Sequence, residues 1–566
     1  MALEAGYVSG NLLKEVPPRV PLKCIDPVVA LMAPPSRMMN HYRPPLALMY
    51  ISGYLKKNGI KTQIIDSILE DQIVRDQSFA SNRKNFFRMV EDNMISQIKK
   101  IETDVIGITC YTPEVDEVER LARRIKEIKP DVKIVVGGIH PTLYPDDLLN
   151  ESSDVDFVVF GEGEITLLEL VKEIRSDSPT YSRLNGIGFL NSETGKNLIT
   201  PRQLLDYELD SISYPDYEGV DMDYYTNASP YSIRGVFSRS IYLLASRGCP
   251  SACTFCVAPE LRGFNFSSGI KQNAGVRLRS PEHLFKEVME LNKKYHIDSF
   301  YFIDDLFTLD RDLVFGFCEL MIKNKVNLVW GCSSKVNTVN YESLKIMKEA
   351  GCIQIDFGVE KASDEQMQLL KKGTKVREVK EAFKHCRELG IRSFANMLIN
   401  TPGEAKKDLQ DTIDLLEEIK PNIVTINIFT PYPGTEIYTD THEAITRDEY
   451  HLFMEDCSLL PEMYPEKFRF AVHEENLKEF SISNMHKYNK ILPTLAIFLN
   501  PKYLKSLIYS KNKINYLKQM KILIREFVVQ KFHWVDFSTN DFRCEGEKSL
   551  IEGKEKIYHA STSSIT

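Results

Sequence analysis

Apolar residues along this chain fall into short unbroken runs, and the stretches between them carry apolar positions at helical spacing. Runs at residues 28–32, 63–66, 104–108, 133–136 and 156–160 read as buried strands, and residues 46–57 as a helix ending near Gly59. Between 114 and 128, Val115, Val118, Leu121, Ala122, Ile125 and Ile128 recur on one helical face. A further helical stretch follows Gly161-Glu-Gly-Glu164 to about Ile174. Strands without alternation, separated by helices, predict a parallel sheet covered on both faces, hence a doubly wound α/β domain over residues 26–180. A second series has strand runs at 240–246, 299–303, 328–332, 353–359, 393–399 and 423–429. In it, Ser280-Pro281-Glu282 supplies a capping hydroxyl, a first-turn proline and an acid at the positive helix end. Six βα units over residues 236–440 predict a full or partial barrel with its chemistry at the C-terminal strand ends. Residues 181–235, richer in Ser, Pro, Tyr and Asp, read as short strands and a linker. Residues 441–566 read as mainly helical with a disordered tail, and residues 1–25 as a lead without period.

Composition narrows the class. At 566 residues two or three domains are expected, and 43% hydrophobic with 27% charged residues is the balance of a soluble globular protein. The net charge of -8 gives no whole-chain electrostatic case for nucleic acid. No apolar run approaches the roughly 20 residues of a membrane span; the longest, 491–499, is broken by Pro493. The N-terminus lacks the basic start and apolar stretch of a signal peptide, so a cytoplasmic location is expected. Residues 501–531 interleave Lys502, Lys505, Lys511, Lys513, Lys518, Lys521, Arg525 and Lys531 with Leu, Ile, Phe and Tyr. The plainer reading is a helical cap with a solvated face; the alternative is peripheral contact with an anionic membrane. Most of the 11 cysteines are scattered, and Cys110, Cys332 and Cys352 sit in apolar runs as small buried hydrophobes. Nothing in their spacing calls for a disulfide framework.

One cluster stands apart: Arg247-Gly-Cys-Pro-Ser-Ala-Cys-Thr-Phe-Cys256, directly after the first strand of the second series. Thiolates select zinc or iron-sulfur clusters. A closed zinc site takes four ligands, and no neighbouring Cys or His offers the second half. Three ligands on a four-iron cluster leave one iron open. This loop resembles that of the radical S-adenosylmethionine (SAM) superfamily, with its C-x3-C-x2-C spacing and an aromatic before the last cysteine: Cys249, Cys253, Phe255 and Cys256. The resemblance implies a [4Fe-4S] cluster on the three cysteines and SAM on the open iron, with Phe255 alongside. An external one-electron reductant such as flavodoxin or ferredoxin would drive cleavage of SAM to methionine and a 5′-deoxyadenosyl radical. Later strand ends follow the family order. In Tyr301-Phe-Ile-Asp-Asp305, Asp304 or Asp305 would meet the SAM ammonium group. Ser334, ending the third strand, would be a further SAM contact, and Glu360 of Gly358-Val-Glu360 would hold the ribose. Asn400-Thr-Pro-Gly-Glu404 ends the fifth strand, and Tyr432, in Phe429-Thr-Pro-Tyr-Pro-Gly434, ends the sixth as another implied SAM contact. Each motif alone is explained by a helix-start acid or a turn glycine; their succession carries the weight. Two positions depart from the pattern: Lys361 stands where Ser is frequent, and Asn400-Thr401 where Gly with an apolar residue is frequent.

Upstream, Arg43-Pro-Pro-Leu-Ala-Leu48, Gly137-Gly-Ile-His-Pro-Thr142 and Gly161-Glu-Gly-Glu164 resemble the cobalamin-binding domain that precedes the barrel in one large subgroup. The implied cobalamin contacts are Tyr111, Gly137, Gly138, His140, Gly161 and Glu162, with glycines allowing backbone to approach a flat macrocycle. No Asp-x-His-x-x-Gly motif is present, so no lower axial histidine is expected, and His140, before Pro141, fits loop packing better than ligation. The alternative is a flavodoxin-like domain that only docks. Together the two resemblances imply methylation of an unactivated carbon on a small-molecule or lipid-like substrate. The rivals are oxidative cyclisation, as in anaerobic magnesium-protoporphyrin ester cyclases, and a zinc-holding scaffold without turnover.

Overall fold

The computed structural model describes residues 28–35, 43–66, 83–150, 153–203, 207–226, 232–234, 236, 238–261, 276–441, 445–454, 457–489 and 501–509. The expectations for residues 1–25, 491–499 and 510–566 lie outside these.

The first sheet contains β1 (Val29–Met32), β2 (Thr62–Ile65), β3 (Val105–Thr109), β4 (Lys133–Gly137), β5 (Phe157–Val159), β6 (Ile187–Asn191) and β7 (Lys196–Ile199), in the order β2-β1-β3-β4-β5-β6-β7. The pairings from β2 to β5 are parallel; β6 and β7 add antiparallel to the β5 edge. Alternate residues of β1 enter two different cores. Val29 and Leu31 join Leu46, Met49 and Leu168, whereas Ala30 and Met32 join Val118 and Ile125. Both faces are thus buried, which is why the strands read as continuous apolar runs. The stretch read as short strands and a linker supplies β6 and β7: Ile187 pairs with Val159, and Phe157, Tyr181 and Phe189 pack ring against ring.

The second series forms β8 (Ser240–Leu243), β9 (Ser246–Arg247), β10 (Arg277–Leu278), β11 (Ser299–Phe302), β12 (Val329–Ser334), β13 (Cys352–Glu360), β14 (Arg392–Ile399) and β15 (Ile423–Ile428). Six of them make an open, all-parallel sheet in the order β15-β14-β13-β12-β11-β8, the partial (β/α)6 barrel expected. The helix Pro281–Tyr295 starts as its sequence predicts, with Ser280 Oγ accepting from His283 N–H at 3.2 Å. In β13, Ile353, Ile355, Phe357 and Val359 belong to the hydrophobic core, while Gln354, Asp356, Gly358 and Glu360 alternate onto the barrel interior.

The chain after β15 closes the assembly from two sides. Ile445, Tyr450, Leu452, Phe453, Leu460 and Phe468 enter the core of the first domain. The helix Leu477–Tyr488 lies on β15, where Ser481 Oγ donates to Ile426 O at 2.6 Å. Among the described residues, no helix is long and apolar enough to cross a membrane.

Candidate active site between the two sheets

The cysteine loop leaves the barrel at β8 and is tied down at several points. Thr254 N–H donates to Leu370 O and Thr254 O accepts from Ile437 N–H, both at 3.1 Å. Lys335 Nζ donates to Ser251 Oγ at 2.9 Å and to Lys372 O at 2.6 Å. Cys249, Cys253 and Cys256 are all free thiols, with Cys253 buried and the other two partly so. Burial pushes the Cys253 thiol up, and Lys372 and Lys335 pull against it. Burial likewise lifts Cys256 to about 11, with Ala258 N–H pulling down and Cys253, Asp305 and Cys249 pushing further up. No group of three or more His, Cys, Asp or Glu among the described residues is arranged around a single metal ion. The donor set nonetheless fits an iron-sulfur cluster. Three neighbouring thiols penalise one another's ionisation, and a bound cationic metal centre removes that penalty.

The strand-end residues separate into two sets. Asp304 does not face a ligand: its carboxylate accepts from Ala245 N–H at 2.9 Å and Ser246 Oγ at 2.6 Å, and from Ser246 N–H. Burial raises its carboxyl to about 6 against those donors. Asp305, its neighbour, is exposed and acts electrostatically on Cys256. Ser334 also points away from the expected place. It is buried against Thr308 and donates to Lys335 O at 3.2 Å, while Ser333 faces the interior and meets Tyr301 Oη at 3.2 Å. The Ser334 correction follows from the pleat of β12, since adjacent strand residues point to opposite faces; Asp304 lies past the end of β11, where the chain brings its carboxylate onto Ala245 and Ser246. Glu360 stays at the interior rim at φ 67° and takes Lys372 Nζ at 2.9 Å. Lys372 lies over the Phe255 ring, 5.8 Å from its centroid. A Cβ on Gly358 would fall 2.7 Å from Lys372 Nζ, so that glycine makes room for the pair. Tyr432 is 44% exposed and stacks on Phe453 at 5.2 Å.

The two departures from the family pattern explain each other. Lys361 pairs with Glu404, and the exposures of the two side chains are 2% and 1%. The other Glu404 oxygen meets Asn400 N–H at 2.9 Å and His473 Nε2 at 3.2 Å. Asn400 Nδ2 donates to Phe429 O and Phe468 O, and its Oδ1 accepts from Phe470 and Ala471 N–H. These residues lock β13, β14 and the 468–473 segment together.

In the first domain, the expected cobalamin residues lie at the C-terminal strand ends facing the barrel, but most are engaged with protein. His140 is fully buried, its Nε2 2.9 Å from Asp147 Oδ2 and its Nδ1 3.3 Å from Thr112 Oγ1, which is loop packing. Gly138 has φ 113°, and a Cβ there would sit 2.8 Å from Cys110 O; at Gly161, φ 80°, it would sit 2.9 Å from Arg202 Nε. Local backbone and side-chain packing by itself already calls for glycine at both positions. A Cβ on Gly137 makes only ordinary contacts, the nearest 3.6 Å from Val159 O. Glu162 pairs with Arg247 Nη1 at 2.5 Å and with Arg277, and accepts from Tyr207 Oη at 2.9 Å. Tyr111, just after β3, is 49% exposed. Sequence reasoning missed Lys372, Arg202 and Arg277, and assigned no role to Arg247 or Lys335. Only Arg247, two residues before Cys249, carried a local signal.

Two family models match the chain: the B12 binding domain over residues 40–171 and the radical SAM superfamily over residues 243–416. An uncharacterized methyltransferase of Pyrococcus horikoshii is 29% identical over 417 residues, covering 72% of this chain and 82% of the relative. An anaerobic magnesium-protoporphyrin IX monomethyl ester cyclase of Rubrivivax gelatinosus is 27% identical, covering 71% of this chain and 67% of that protein. The solved structure of the radical S-adenosylmethionine methyltransferase TsrM from Kitasatospora setae, with tryptophan substrate and a SAM analogue, superimposes with TM-score 0.57 at 16% identity, covering 83% of this chain and 89% of that one. That likeness is one of fold. The chain thus combines a B12 binding domain, whose strand-end loops meet the three-cysteine loop, with a radical SAM domain folded as a partial barrel.

Proposed function

We propose that the protein methylates an unactivated carbon of a small molecule, with Cys249, Cys253 and Cys256 holding the cluster. The observation that carries this reading is the meeting of the cysteine loop with strand-end loops of the B12 binding domain, through Arg247 on Glu162 and Glu164. Bound [4Fe-4S] cluster, SAM and cobalamin supply one-electron cleavage of SAM, hydrogen-atom abstraction and a transferable methyl group. Two cofactors suit the task, because a C–H carbon has no lone pair with which to attack SAM directly.

The chain's own residues bind and orient. Lys372 and Lys335 favour the thiolate form of Cys253. Phe255, Glu360 and Asp305 flank the open side of the loop as SAM contacts, with Glu360 held in place by Lys372. Asp304 positions the loop by gripping its base at Ala245 and Ser246. Tyr432 and Tyr111, both partly exposed, are further contacts for SAM and for the corrinoid. An external one-electron donor of the flavodoxin or ferredoxin class starts each turnover. Ser333, Asp356 and Asn396, partly accessible on β12, β13 and β14, favour a substrate with hydrogen-bonding groups over a pure hydrocarbon.

Anaerobic reconstitution with iron, sulfide and cobalamin, then methyl-labelled SAM and a reductant, tests the reading. Iron-sulfur absorbance, 5′-deoxyadenosine and label in the product are expected. Absence of the first two would sink the enzyme reading. The relative named as a cyclase keeps a second reading in play: turnover to an unlabelled, cyclised product would select it.

A further inference from the structure

The Gly161-Glu-Gly-Glu164 loop meets both strands at the base of the cysteine loop. β9 and β10 pair antiparallel, with Arg247 opposite Arg277, and together form the base from which the cysteine loop rises. Both arginines reach the same carboxylate, that of Glu162. Arg247 also pairs with Glu164 at 2.6 Å, and its guanidinium lies 5.2 Å from the centroid of the Tyr50 ring. Burial pushes the Glu164 carboxyl up, but Arg247 outweighs it and holds the carboxyl below its usual range. Beyond Cys256, the helix Ala258–Leu261 is gripped by Arg202, whose Nη2 donates to Leu261 O at 2.5 Å. Arg202 gets there by lying directly across Gly161, where a Cβ would block it.

On its other side this same loop borders the C-terminal end of β5, the edge at which doubly wound sheets receive ligands. A corrinoid settling there presses on a loop whose carboxylates hold the base of the cysteine loop through Arg247 and Arg277, and over whose Gly161 Arg202 passes to reach Leu261. We propose that the Gly161–Glu164 loop couples corrinoid occupancy of the first domain to cluster occupancy of the cysteine loop, with Glu162 and Glu164 as positioning residues and not corrinoid ligands. This rests on the cofactor assignment made above. Ordering the cysteine loop around a cluster fixes Arg247 and Arg277, which fixes Glu162 and presents the loop backbone in its corrinoid-receiving form. Coupling of this kind is reciprocal: each cofactor tightens the other by the same factor.

The test measures hydroxocobalamin affinity by absorbance titration on the full chain, with the cluster reconstituted and after its removal by a chelator. The cluster-loaded chain should bind at least about five-fold more tightly. E162Q and R247Q should bring that ratio close to one, whereas R175Q, at a half-exposed surface pair with Asp104, should leave it unchanged. In the unmodified chain, where no variant has to fold, hydroxocobalamin should slow iron loss to the chelator. Equal affinity of both forms of the unmodified chain overturns the coupling, as does a full ratio surviving in both folded variants. No hydroxocobalamin binding to either form would instead overturn the cofactor assignment beneath it.

Discussion

The barrel's strand ends are held from two sides by buried ion pairs that differ in kind. At the β13–β14 side, Lys361, Glu404, Asn400 and His473 form a sealed network whose charged atoms are almost wholly removed from solvent. At the β8 side, Arg247, Glu162 and Arg277 form a clamp whose side chains keep 14–19% exposure and which joins two domains through the cysteine loop. The first network joins elements of the barrel to the chain that follows it. The second joins elements that each have a cofactor to receive. Burial of charge is costly unless every partner is present, so the sealed network should report on folding and the half-open clamp on cofactor geometry.

The largest effect is therefore expected at Lys361. Lys361→Met leaves the Glu404 carboxylate buried without its cation and should cost about 3–5 kcal/mol, read as a lowered denaturant midpoint of the cluster-free chain. Adding Glu404→Leu should restore part of the loss, because an apolar pair replaces an unpaired charge. A single variant as stable as the parent would erase the distinction between the two networks.

Asp304 stands between them, and its effect is one of pH. Its folded-state pKa of about 6 exceeds the ordinary value of 3.8, so between these values the folded chain holds a proton that the unfolded chain has released. Stability from this group is present below about pH 4 and falls as pH rises through 6, by about 3 kcal/mol. Unfolding of the parent compared with Asp304→Asn should show the parent losing ground over that window. A flat difference would mean that the donors of Ala245 and Ser246 keep the carboxylate ionised throughout.

Asp304 also marks where sequence reading stopped. Both sheets were legible because buried parallel strands leave unbroken apolar runs, and the three cysteines because they sit within one loop. The short strands expected in 181–235 could not be placed: edge strands such as Ile187–Asn191 owe their place to a partner, β5, that no local pattern specifies. Between Ser333 and Ser334 the inward residue depends on strand register, and a shift of one residue reverses the answer; Asp304 and Asp305 follow the end of β11, in an irregular stretch whose path no local pattern gives. Lys372 and Arg202 come from segments far from the cysteine loop and carry no motif, so only the folded chain brings them to it. Glycines at 138 and 161 were read as space for a macrocycle, yet the space goes to Cys110 and Arg202.

A smaller effect on folding is expected at the clamp. Glu162→Gln keeps the shape and an acceptor, Tyr207 and the arginines remain, and the site is partly solvated, so about 1–2 kcal/mol is at stake. Its signature should lie elsewhere, in a changed electron paramagnetic resonance line shape of the reduced cluster at near-parental stability. A stability loss as large as that of Lys361→Met would place the clamp in the same class as the sealed network.

The smallest effect sharpens the rule by which the two were told apart. Lys371 and Lys372 are neighbours, and each meets a glutamate, at 2.5 Å and 2.9 Å. Lys371 and Glu436 are about half exposed, so water screens the pair and side-chain freedom offsets what attraction remains. Lys372 is buried between Glu360, Phe255 and the thiols of Cys253 and Cys256. Lys371→Ala should change stability by less than about 0.5 kcal/mol and leave SAM binding, followed by equilibrium dialysis, as it was. Lys372→Ala should weaken SAM binding several-fold, since Glu360 loses the cation that holds it at the rim. Equal behaviour of the two variants would show that burial does not rank these ion pairs, and with that the contrast between the sealed network and the clamp would lose its basis.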